Sequence, residues 1–339
     1  MSASLKTIAE LAGVTEATVS MALRNMDRIS VKRRRQISEI ARELNYTPNL
    51  NARGLSTGKS HLIGLISATN FVEVSANLTD HFEQAVRENG YQLIGSFHQG
   101  RADLEIRNIR ELIARGADGA VGFPVHNGDH SAWQLLTNAN IPAVLFNESP
   151  SFPHSHVMID FEDGGRQMVH HLLASGYRNP AFVSTDSSSN HILSRIHGWR
   201  KACEDADIDF QQRPMFWLKN DSISSSQPDL IAQIRDNPIP FDSLLASTDL
   251  VAIASIRALH DQGLKIPEDV AIVGFDDSLV ASILPIPLSS VRQPVAEAAK
   301  IAAEILLRQI NNPGAEFEQV LLKPSLIVRQ SSTSRRRRG

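Results

Sequence analysis

From residue 62 onward, short apolar runs alternate with amphipathic helical patterns along most of the chain. Nine runs have the length and composition of buried strands, at residues 62–66, 93–97, 119–123, 143–146, 157–159, 181–184, 215–218, 244–246 and 271–275. Between them, patterns such as Leu78, Phe82, Ala85 and Val86 predict helices. Such alternation indicates parallel sheets with helices on both faces, and nine strands favour two doubly wound lobes over a single sheet.

The composition agrees with a globular protein of more than one domain. The chain has 339 residues, of which 42% are hydrophobic and 21% are charged, and a single ordinary core does not grow that large. No apolar run approaches the ~20 residues that span a bilayer, and the first ten residues lack the apolar segment of a signal peptide. The one cysteine, Cys203, cannot form an internal disulfide and is expected to be a buried thiol. We therefore expect a cytoplasmic protein without a membrane partner.

The charge is distributed unevenly along the chain. Residues 1–60 contain ten Lys and Arg against five Asp and Glu, whereas residues 61–334 contain twenty against thirty-two. Four arginines follow at 335–338. A basic head on an acidic body suggests that the head binds a polyanion. Exposed basic side chains alone could produce the same bias, so a motif is needed to decide.

The first 46 residues predict three short helices. Ser4, Thr15 and Ser30 each precede a helical pattern as N-caps, and Gly13 ends the first helix. Two short helices joined by a tight glycine turn form a helix-turn-helix. The third helix opens with four consecutive basic residues, at 32–35. Cations oppose the dipole at a helix N-terminus, which is consistent with phosphates nearby, although a merely solvated charge run explains the four residues equally well.

The stretch ARGLSTGKS, at residues 52–60, ends like a phosphate-binding loop but fails that motif. The first glycine of the loop should stand at position 53, which is Arg53. The segment that follows is a predicted strand, whereas the motif opens a helix. A nucleotide site is therefore not expected here.

Four segments in register carry a resemblance to a known family. IAELAGVTEATVSMALRN, then RIS, ELNYTPN and ARGL, resemble the LacI/GalR family of bacterial repressors, and the resemblance continues through the body. It implies a helix-turn-helix domain at 1–46, a hinge at 47–60, and two lobes of the periplasmic-binding-protein type. The lobes are expected at 61–161 with 292–321 and at 162–291 with 322–330. Residues 331–339 are expected to be a disordered basic tail.

The resemblance implies that the second helix enters the DNA major groove and that a hinge leucine wedges into the minor groove. The implied DNA-binding residues are Thr7, Thr15, Glu16, Ala17, Thr18, Ser20, Met21, Arg24, Arg28, Ser30, Asn49, Ala52 and Leu55. Among the base-reading positions, Ala17 and Met21 offer only apolar contact, where many relatives carry hydrogen-bonding residues, and Glu16 could accept from a cytosine amine. The operator sequence is therefore expected to differ from those of such relatives.

The resemblance also implies a small-molecule effector, most simply a sugar, bound in the cleft between the lobes. The implied effector-binding residues are Val74, Ser75, Asn147, Asp160, Phe161, His191, Arg195, Trp217 and Asp249. Arginine, aspartate and asparagine provide donors and acceptors for the vicinal hydroxyls of a sugar, and an aromatic side chain can stack on its apolar face. From the residues alone, Asp249 fits a helix N-cap as well as a ligand contact, Trp217 fits a core position, and Arg195 fits a surface salt bridge.

Other constellations predict no cofactor, no metal and no catalytic group. His154 and His156 flank a proline loop and are expected to be solvated, and Asp276 and Asp277 are expected to be structural residues at a strand end. A periplasmic-type binding protein and an enzyme with a DNA-binding head are the competing interpretations. The favoured one is a homodimeric regulator, not an enzyme, that binds a pseudo-palindromic double-stranded operator.

Overall fold

The computed structural model describes residues 4–23, 25–46, 58–68, 73–125, 131–148, 152–185, 189–218 and 223–333. The chain divides into two compact units, Met1–Ser60 and His61–Gly339. No helix among the described residues is both long enough and apolar enough to cross a membrane.

The described residues of the first unit form three helices, α1 (Leu5–Ala12), α2 (Glu16–Leu23) and α3 (Val31–Glu43). The predicted caps are confirmed, because the side chains of Ser4, Thr15 and Ser30 accept hydrogen bonds from the backbone N–H three residues later. Gly13 ends α1 in a left-handed conformation, with φ +64°, which glycine adopts without strain. The helices enclose a small core of buried residues: Ile8, Ala9, Ala12, Val19, Ala22, Ile37 and Ala41.

The second unit contains two six-stranded sheets. The first sheet consists of β1 (Leu62–Ser67), β2 (Gln92–Phe97), β3 (Gly119–Gly122), β4 (Ala143–Phe146), β5 (Ser155–Ile159) and β11 (Gln319–Leu322). Its strand order is β2-β1-β3-β4-β5-β11, and every neighbouring pair is parallel. We call this sheet and the helices that pack on it the first lobe.

The second sheet repeats this arrangement. It consists of β6 (Pro180–Thr185), β7 (Met215–Leu218), β8 (Ser243–Ala246), β9 (Ala271–Asp276), β10 (Ser289–Arg292) and β12 (Ser325–Ile327). The order is β7-β6-β8-β9-β10-β12, and only the β10–β12 pair is antiparallel. We call this sheet and its helices the second lobe.

Helices cover both sheets, as the alternation of apolar runs predicted. They are α4 (Glu73–Glu88), α5 (Ala102–Ala114), α6 (Ser131–Asn138), α7 (Phe161–Ala174), α8 (Asn190–Glu204), α9 (Ile223–Asp236), α10 (Asp249–Asp261), α11 (Leu279–Ile283) and α12 (Val295–Asn311). The predicted fold class is therefore confirmed. The nine predicted strands are present, and β10, β11 and β12 add to them.

A pair of glycines fixes the packing of α7 on α8. A Cβ at Gly198 would lie 2.0 Å from the carbonyl oxygen of Glu162, and one at Gly165 would lie 2.4 Å from that of Arg195. Any larger residue would push the two backbones apart. The close approach places the first turns of α8, which carry Arg195, against the start of α7.

Candidate functional site

The predicted DNA-contacting residues in and just before α2 lie at or near the surface of the first unit. Thr15, Glu16 and Ala17 at the start of α2 are exposed, whereas Thr18, Ser20 and Met21 are half-buried. The Thr15 hydroxyl lies 2.9 Å from that of Thr18 and fixes the first turn of the helix. A helix that presents its N-terminal residues to solvent has the geometry needed to enter a groove.

The remaining predicted DNA residues fall into two groups. Thr7 is half-buried in α1, and Arg28 and Ser30 are exposed before α3. Arg24, Asn49, Ala52 and Leu55 lie outside the described residues, as do most of the predicted hinge and the arginines of the predicted tail. Contacts at these positions therefore remain predictions.

Arg195 is the centre of a buried polar cluster in the second lobe. Its side chain is 3% exposed and lies 3.8 Å from an oxygen of Asp276. One guanidinium nitrogen donates to the carbonyl of Ser247, and the guanidinium carbon stands 3.7 Å from the ring centre of Phe275. The surface salt bridge considered from the sequence is therefore wrong, because Arg195 is buried among aromatic rings.

Burial shifts the pKa of both members of the Arg195–Asp276 pair. It lowers the pKa of Arg195 to about 10, although Asp276 and Asp249 oppose the shift. It also raises the pKa of Asp276 to about 7, and Arg195 limits the rise. Both shifts follow from the cost of holding charge away from water. The side-chain amide of Gln293 donates to Asp276 at 2.7 Å.

Three polar groups at this end of the second sheet are buried without a hydrogen-bond partner among the described residues. They are the Nε of Arg195 and the hydroxyls of Ser184 and Ser247. Ser184 lies near the end of β6 and Ser247 follows β8, so the two strands flank the point where the strand order reverses. Ligands of open α/β sheets bind at this point, and buried polar groups without partners are costly unless a ligand or water satisfies them.

Asp249 lies in the first turn of α10 and is buried. The N-cap of α10 is Thr248, whose hydroxyl accepts from the backbone N–H of Val251, so of the two interpretations of Asp249 the N-cap is wrong and the effector contact stays a prediction. The Asp249 carboxylate is 1% exposed and accepts from the Ser290 hydroxyl at 2.6 Å and from both the backbone N–H and hydroxyl of Ser278. Burial raises its pKa, and these donors oppose the shift. Asp249 therefore joins α10, β10 and the start of α11.

Phe161 and His191 are brought close to Arg195. The Phe161 ring lies 4.9 Å from the Arg195 guanidinium carbon and 5.7 Å from the His191 ring. The His191 Nε2 lies 3.3 Å from the Ser189 hydroxyl. Trp217 is half-buried at the end of β7 and packs against the core of the second lobe, as its core interpretation predicted.

The remaining predicted effector residues lie on the first lobe or at its junction with the second. The Asn147 side-chain oxygen accepts from the backbone N–H of Ile159 at 3.1 Å. Asp160 caps α7 by accepting from Asp163 at 2.9 Å. Val74 and Ser75 lie in the first turn of α4. Asn147 and Asp160 thus have structural hydrogen bonds that the sequence did not reveal.

Two carboxylates that were not predicted connect the lobes. Glu73 accepts from the backbone N–H of Leu279 at 2.9 Å, and Glu148 accepts from the side-chain amide of Asn190 at 3.0 Å. Glu73 and Glu148 belong to the first lobe, whereas Leu279 and Asn190 belong to the second. A groove of about 500 Å³ runs beside the second contact, lined by Asn147, Glu148, Met158, Asn190, Leu193, Ser194 and His197.

Two histidines predicted to be solvated are buried. His154 and His156 are each 5% exposed, and their ring nitrogens lie 3.1 Å apart. The prediction was wrong because it did not include β11, which pairs with β5, or the contact between Ser155 and Gln309 of α12. Cys203 is buried as expected, and burial raises the pKa of its thiol to about 12.

Comparisons with known proteins cover both units. Residues 4–49 match the model for bacterial regulatory proteins of the lacI family, and residues 169–332 match that for a periplasmic binding protein-like domain. The HTH-type transcriptional repressor PurR of Aliivibrio salmonicida is 27% identical over 333 residues, which cover 97% of this chain and 98% of the relative.

Two solved structures are also similar. One is the lac repressor dimer bound to operator and the anti-inducer ONPF, with a TM-score of 0.87, 24% identity, and coverage of 98% of this chain and 100% of that chain. The other is a complex of the transcriptional regulator CelR with cellobiose, with a TM-score of 0.72, 27% identity and coverage of 97% and 99%. A helix-turn-helix unit, two lobes of matching topology and these relatives lead to one conclusion. The chain carries a helix-turn-helix domain of the lacI family of bacterial regulatory proteins, followed by a periplasmic binding protein-like domain.

Proposed function

We propose that this regulator binds a pseudo-palindromic DNA operator as a homodimer, and that a sugar or sugar derivative in the cleft between the lobes controls its affinity for that operator. It acts in the cytoplasm and as a regulator, not as an enzyme. The observation that carries the effector site is the buried Arg195, whose Nε and two neighbouring serine hydroxyls have no partner among the described residues. The relative crystallised with cellobiose supports a sugar.

The effector is found by measuring thermal unfolding of the full chain against a panel of sugars and nucleobases. A ligand present at 100 times its Kd adds about 2.7 kcal/mol to the free energy of unfolding, which is a clear shift of the melting temperature. The ligand that stabilises the protein is then added to an operator titration. A stabilising sugar that leaves operator affinity unchanged would contradict the control role.

The same ligand tests the proposal that the chain is not an enzyme. After prolonged incubation with the protein, it should be recovered unchanged by chromatography. Accumulation of a product that depends on the protein would favour an enzyme instead.

DNA reading is assigned to the exposed start of α2. Duplexes selected from a random pool by the full chain should share a two-fold symmetric sequence, because a symmetric dimer presents two copies of α2. Glu16→Ala should alter the selected sequence at one position of each half-site. Glu39→Ala, which removes the same charge from an exposed position on α3, should select the original sequence. Identical selections by all three proteins would contradict base reading by Glu16.

Leu55 is assigned to the minor groove on the basis of the family alone. An apolar wedge contributes only when the duplex is bent, so Leu55→Ala should weaken operator binding more than binding to random DNA. Equal losses on both would mean that the assignment is wrong.

An exposed apolar face on the second lobe supports the dimer. Leu250 on α10 and Leu279, Val280 and Ile283 on α11 are 40–70% exposed, and hydrogen bonds from Ser278 to Asp249 hold the starts of the two helices together. Exposed apolar patches mark interaction sites. Ile283→Asp should shift the protein towards monomer in analytical ultracentrifugation, and Leu193→Asp, at a leucine on α8 that is 50% exposed, should not. A dimer unchanged by Ile283→Asp would place the interface elsewhere.

A further inference from the structure

The short helix α11 presents an apolar face to solvent and has little packing of its own. It contains five residues, Leu279–Ile283, of which Ala281 is the buried one. The side chains of Leu279, Val280 and Ile283 are 69%, 40% and 70% exposed. A helix of this length is unstable in water without further contacts. The position of its apolar face therefore depends on the groups that hold the ends of the helix.

Two carboxylates hold the start of α11. Asp249 accepts from the backbone N–H and the hydroxyl of Ser278, at 2.7 and 2.8 Å. Glu73 accepts from the backbone N–H of Leu279 at 2.9 Å. The N–H groups in the first turn of a helix have no acceptor within the helix, and a carboxylate is favourable there because it also complements the helix dipole. The two carboxylates therefore stabilise the first turn of α11.

The two carboxylates come from different lobes. Asp249 belongs to α10 of the second lobe and also accepts from Ser290 of β10, so its contact with α11 stays within one lobe. Glu73 lies in the first turn of α4, in the first lobe. Its contact with Leu279 exists only while the two lobes keep this relative position. A movement of one lobe relative to the other therefore changes the Glu73 contact and leaves the Asp249 contact in place.

The apolar face of α11 is also part of the surface assigned to the dimer. A surface that is already ordered binds its partner more tightly, because less conformational entropy is lost on association. In a symmetric dimer both copies contribute the same surface, so a change in the order of α11 acts twice. The Glu73 contact is thus in a position to affect the affinity between the two copies.

We propose that Glu73 couples the relative position of the lobes to dimerisation, by holding α11 in the conformation that a second copy of the chain binds. A ligand that separates Glu73 from Leu279 weakens the dimer. The coupling is reciprocal, so dimer formation favours the lobe arrangement that keeps this hydrogen bond. The inference rests on the proposed function, since it takes the apolar face of α10 and α11 as the dimer surface.

The first test measures the dimer dissociation constant of the full chain by analytical ultracentrifugation. Glu73→Ala removes the acceptor and should raise this constant by about three- to ten-fold, because each dimer contains two copies of the hydrogen bond. Glu73→Gln keeps a side-chain oxygen that accepts a hydrogen bond and should stay within about two-fold of the parent protein. Glu88→Ala, at another exposed glutamate of α4, should also leave the constant unchanged.

Ile283→Asp separates a failure of this inference from a failure of the proposed function. If Ile283→Asp gives monomers and Glu73→Ala leaves the dissociation constant unchanged or lower, this inference is wrong and the proposed dimer surface stands. If Ile283→Asp leaves the dimer intact, the dimer surface is wrong and the inference with it. Equal weakening by Glu73→Ala and either Glu73→Gln or Glu88→Ala would assign the effect to charge and overturn the role of the hydrogen bond.

The second test examines α11 without the dimer. In the Ile283→Asp variant, hydrogen exchange of the backbone amides of α11 should become several-fold faster when Glu73→Ala is added, because the helix is ordered for a smaller fraction of the time. Exchange in β8, a buried strand of the same lobe, is the reference and should not change. Equal exchange rates of α11 with and without Glu73→Ala would show that Glu73 does not order the helix, and would overturn the proposal.

Discussion

The two lobes share one strand order, yet they bury carboxylates in different environments. Glu105 in the first lobe is 3% exposed and accepts from the backbone N–H of Val125 and the indole N–H of Trp133, both at 2.8 Å. Asp276 in the second lobe faces Arg195 at 3.8 Å, beside buried polar groups that have no partner in the described structure. Fixed donors from its own lobe make Glu105 structural, whereas the second lobe holds polar groups suited to an external partner.

Arg195→Ala should have the largest effect on this difference. It removes the cation that faces Asp276, and breaking a buried pair in this way costs about 3–5 kcal/mol of the free energy of unfolding. Effector affinity should fall by about 100-fold or more, equivalent to a loss of about 2.8 kcal/mol, while operator binding persists. Calorimetry and operator titration measure the two effects. A variant that still switches with near-normal effector affinity would mean that the ligand binds elsewhere.

Asp276→Asn and Glu105→Gln test the two lobes directly. Asp276→Asn should weaken effector binding about ten-fold, because it replaces an acceptor by an amide beside Arg195. Glu105→Gln should cost about 1–3 kcal/mol of the free energy of unfolding through its mismatched donors and leave effector affinity unchanged. Urea denaturation and calorimetry separate the two outcomes. If both variants weakened effector binding equally, the proposed distinction between the two lobes would be wrong.

Ser290→Ala tests whether Asp249 is structural. It removes a 2.6 Å hydrogen bond to a buried carboxylate, and hydrogen bonds to charged groups contribute about 1.5–3 kcal/mol. The free energy of unfolding should fall by about 2 kcal/mol in urea. Ser282→Ala, at an exposed site on α11 where the hydroxyl donates to the Leu279 carbonyl, should change it by less than about 0.5 kcal/mol. Equal effects would place Asp249 outside the stabilising network.

The smallest expected effect concerns pH. Burial raises the pKa of Asp276 to about 7, so the carboxylate becomes an ionised acceptor between pH 6 and pH 8, and effector affinity should rise a few-fold over that interval. A folded-state pKa above the ordinary 3.8 means that the folded protein holds this proton more tightly than the unfolded chain. This group therefore lowers the free energy of unfolding as pH rises from about 4 to about 7. Asp276→Asn should flatten both pH profiles, and an unchanged slope in that variant would exclude Asp276 as the titrating group.

The fold could be predicted because its signals are local. Ser4, Thr15 and Ser30 bond to N–H groups three residues away, and the apolar runs are continuous in sequence. The strands β10, β11 and β12 have the sequences SSVR, QVLL and SLI, which are too short or too polar to be recognised alone. They form because each pairs by backbone hydrogen bonds with a strand already present in the sheet.

The site was harder to predict because its contacts are distant in sequence. The partners of Asp249 lie 29 and 41 residues away, and the choice of cap between Thr248 and Asp249 depends on backbone angles that residue types leave open. Asp276 was expected to be a structural residue at a strand end, where adjacent side chains point to opposite faces. The strand ends there, however, and a φ of +118° at Asp276 turns the chain out of that alternation. Asn147 and Asp160, which the resemblance implied, directly follow strands, and Asp276 likewise stands at the end of one.

The glycines that bring α7 and α8 together also couple the backbones of these two helices directly. At Gly165 and Gly198 the two helices meet backbone against backbone, so no side chain separates them at these two points. The carbonyl of Arg195 is itself the atom that meets Gly165, and α7 begins at Phe161, where the chain enters this lobe from the first. A displacement of the Arg195 backbone would therefore move α7, whose first residue lies where the chain crosses between the lobes. Gly165→Ala would push the backbones of α7 and α8 apart without changing any polar group of the site.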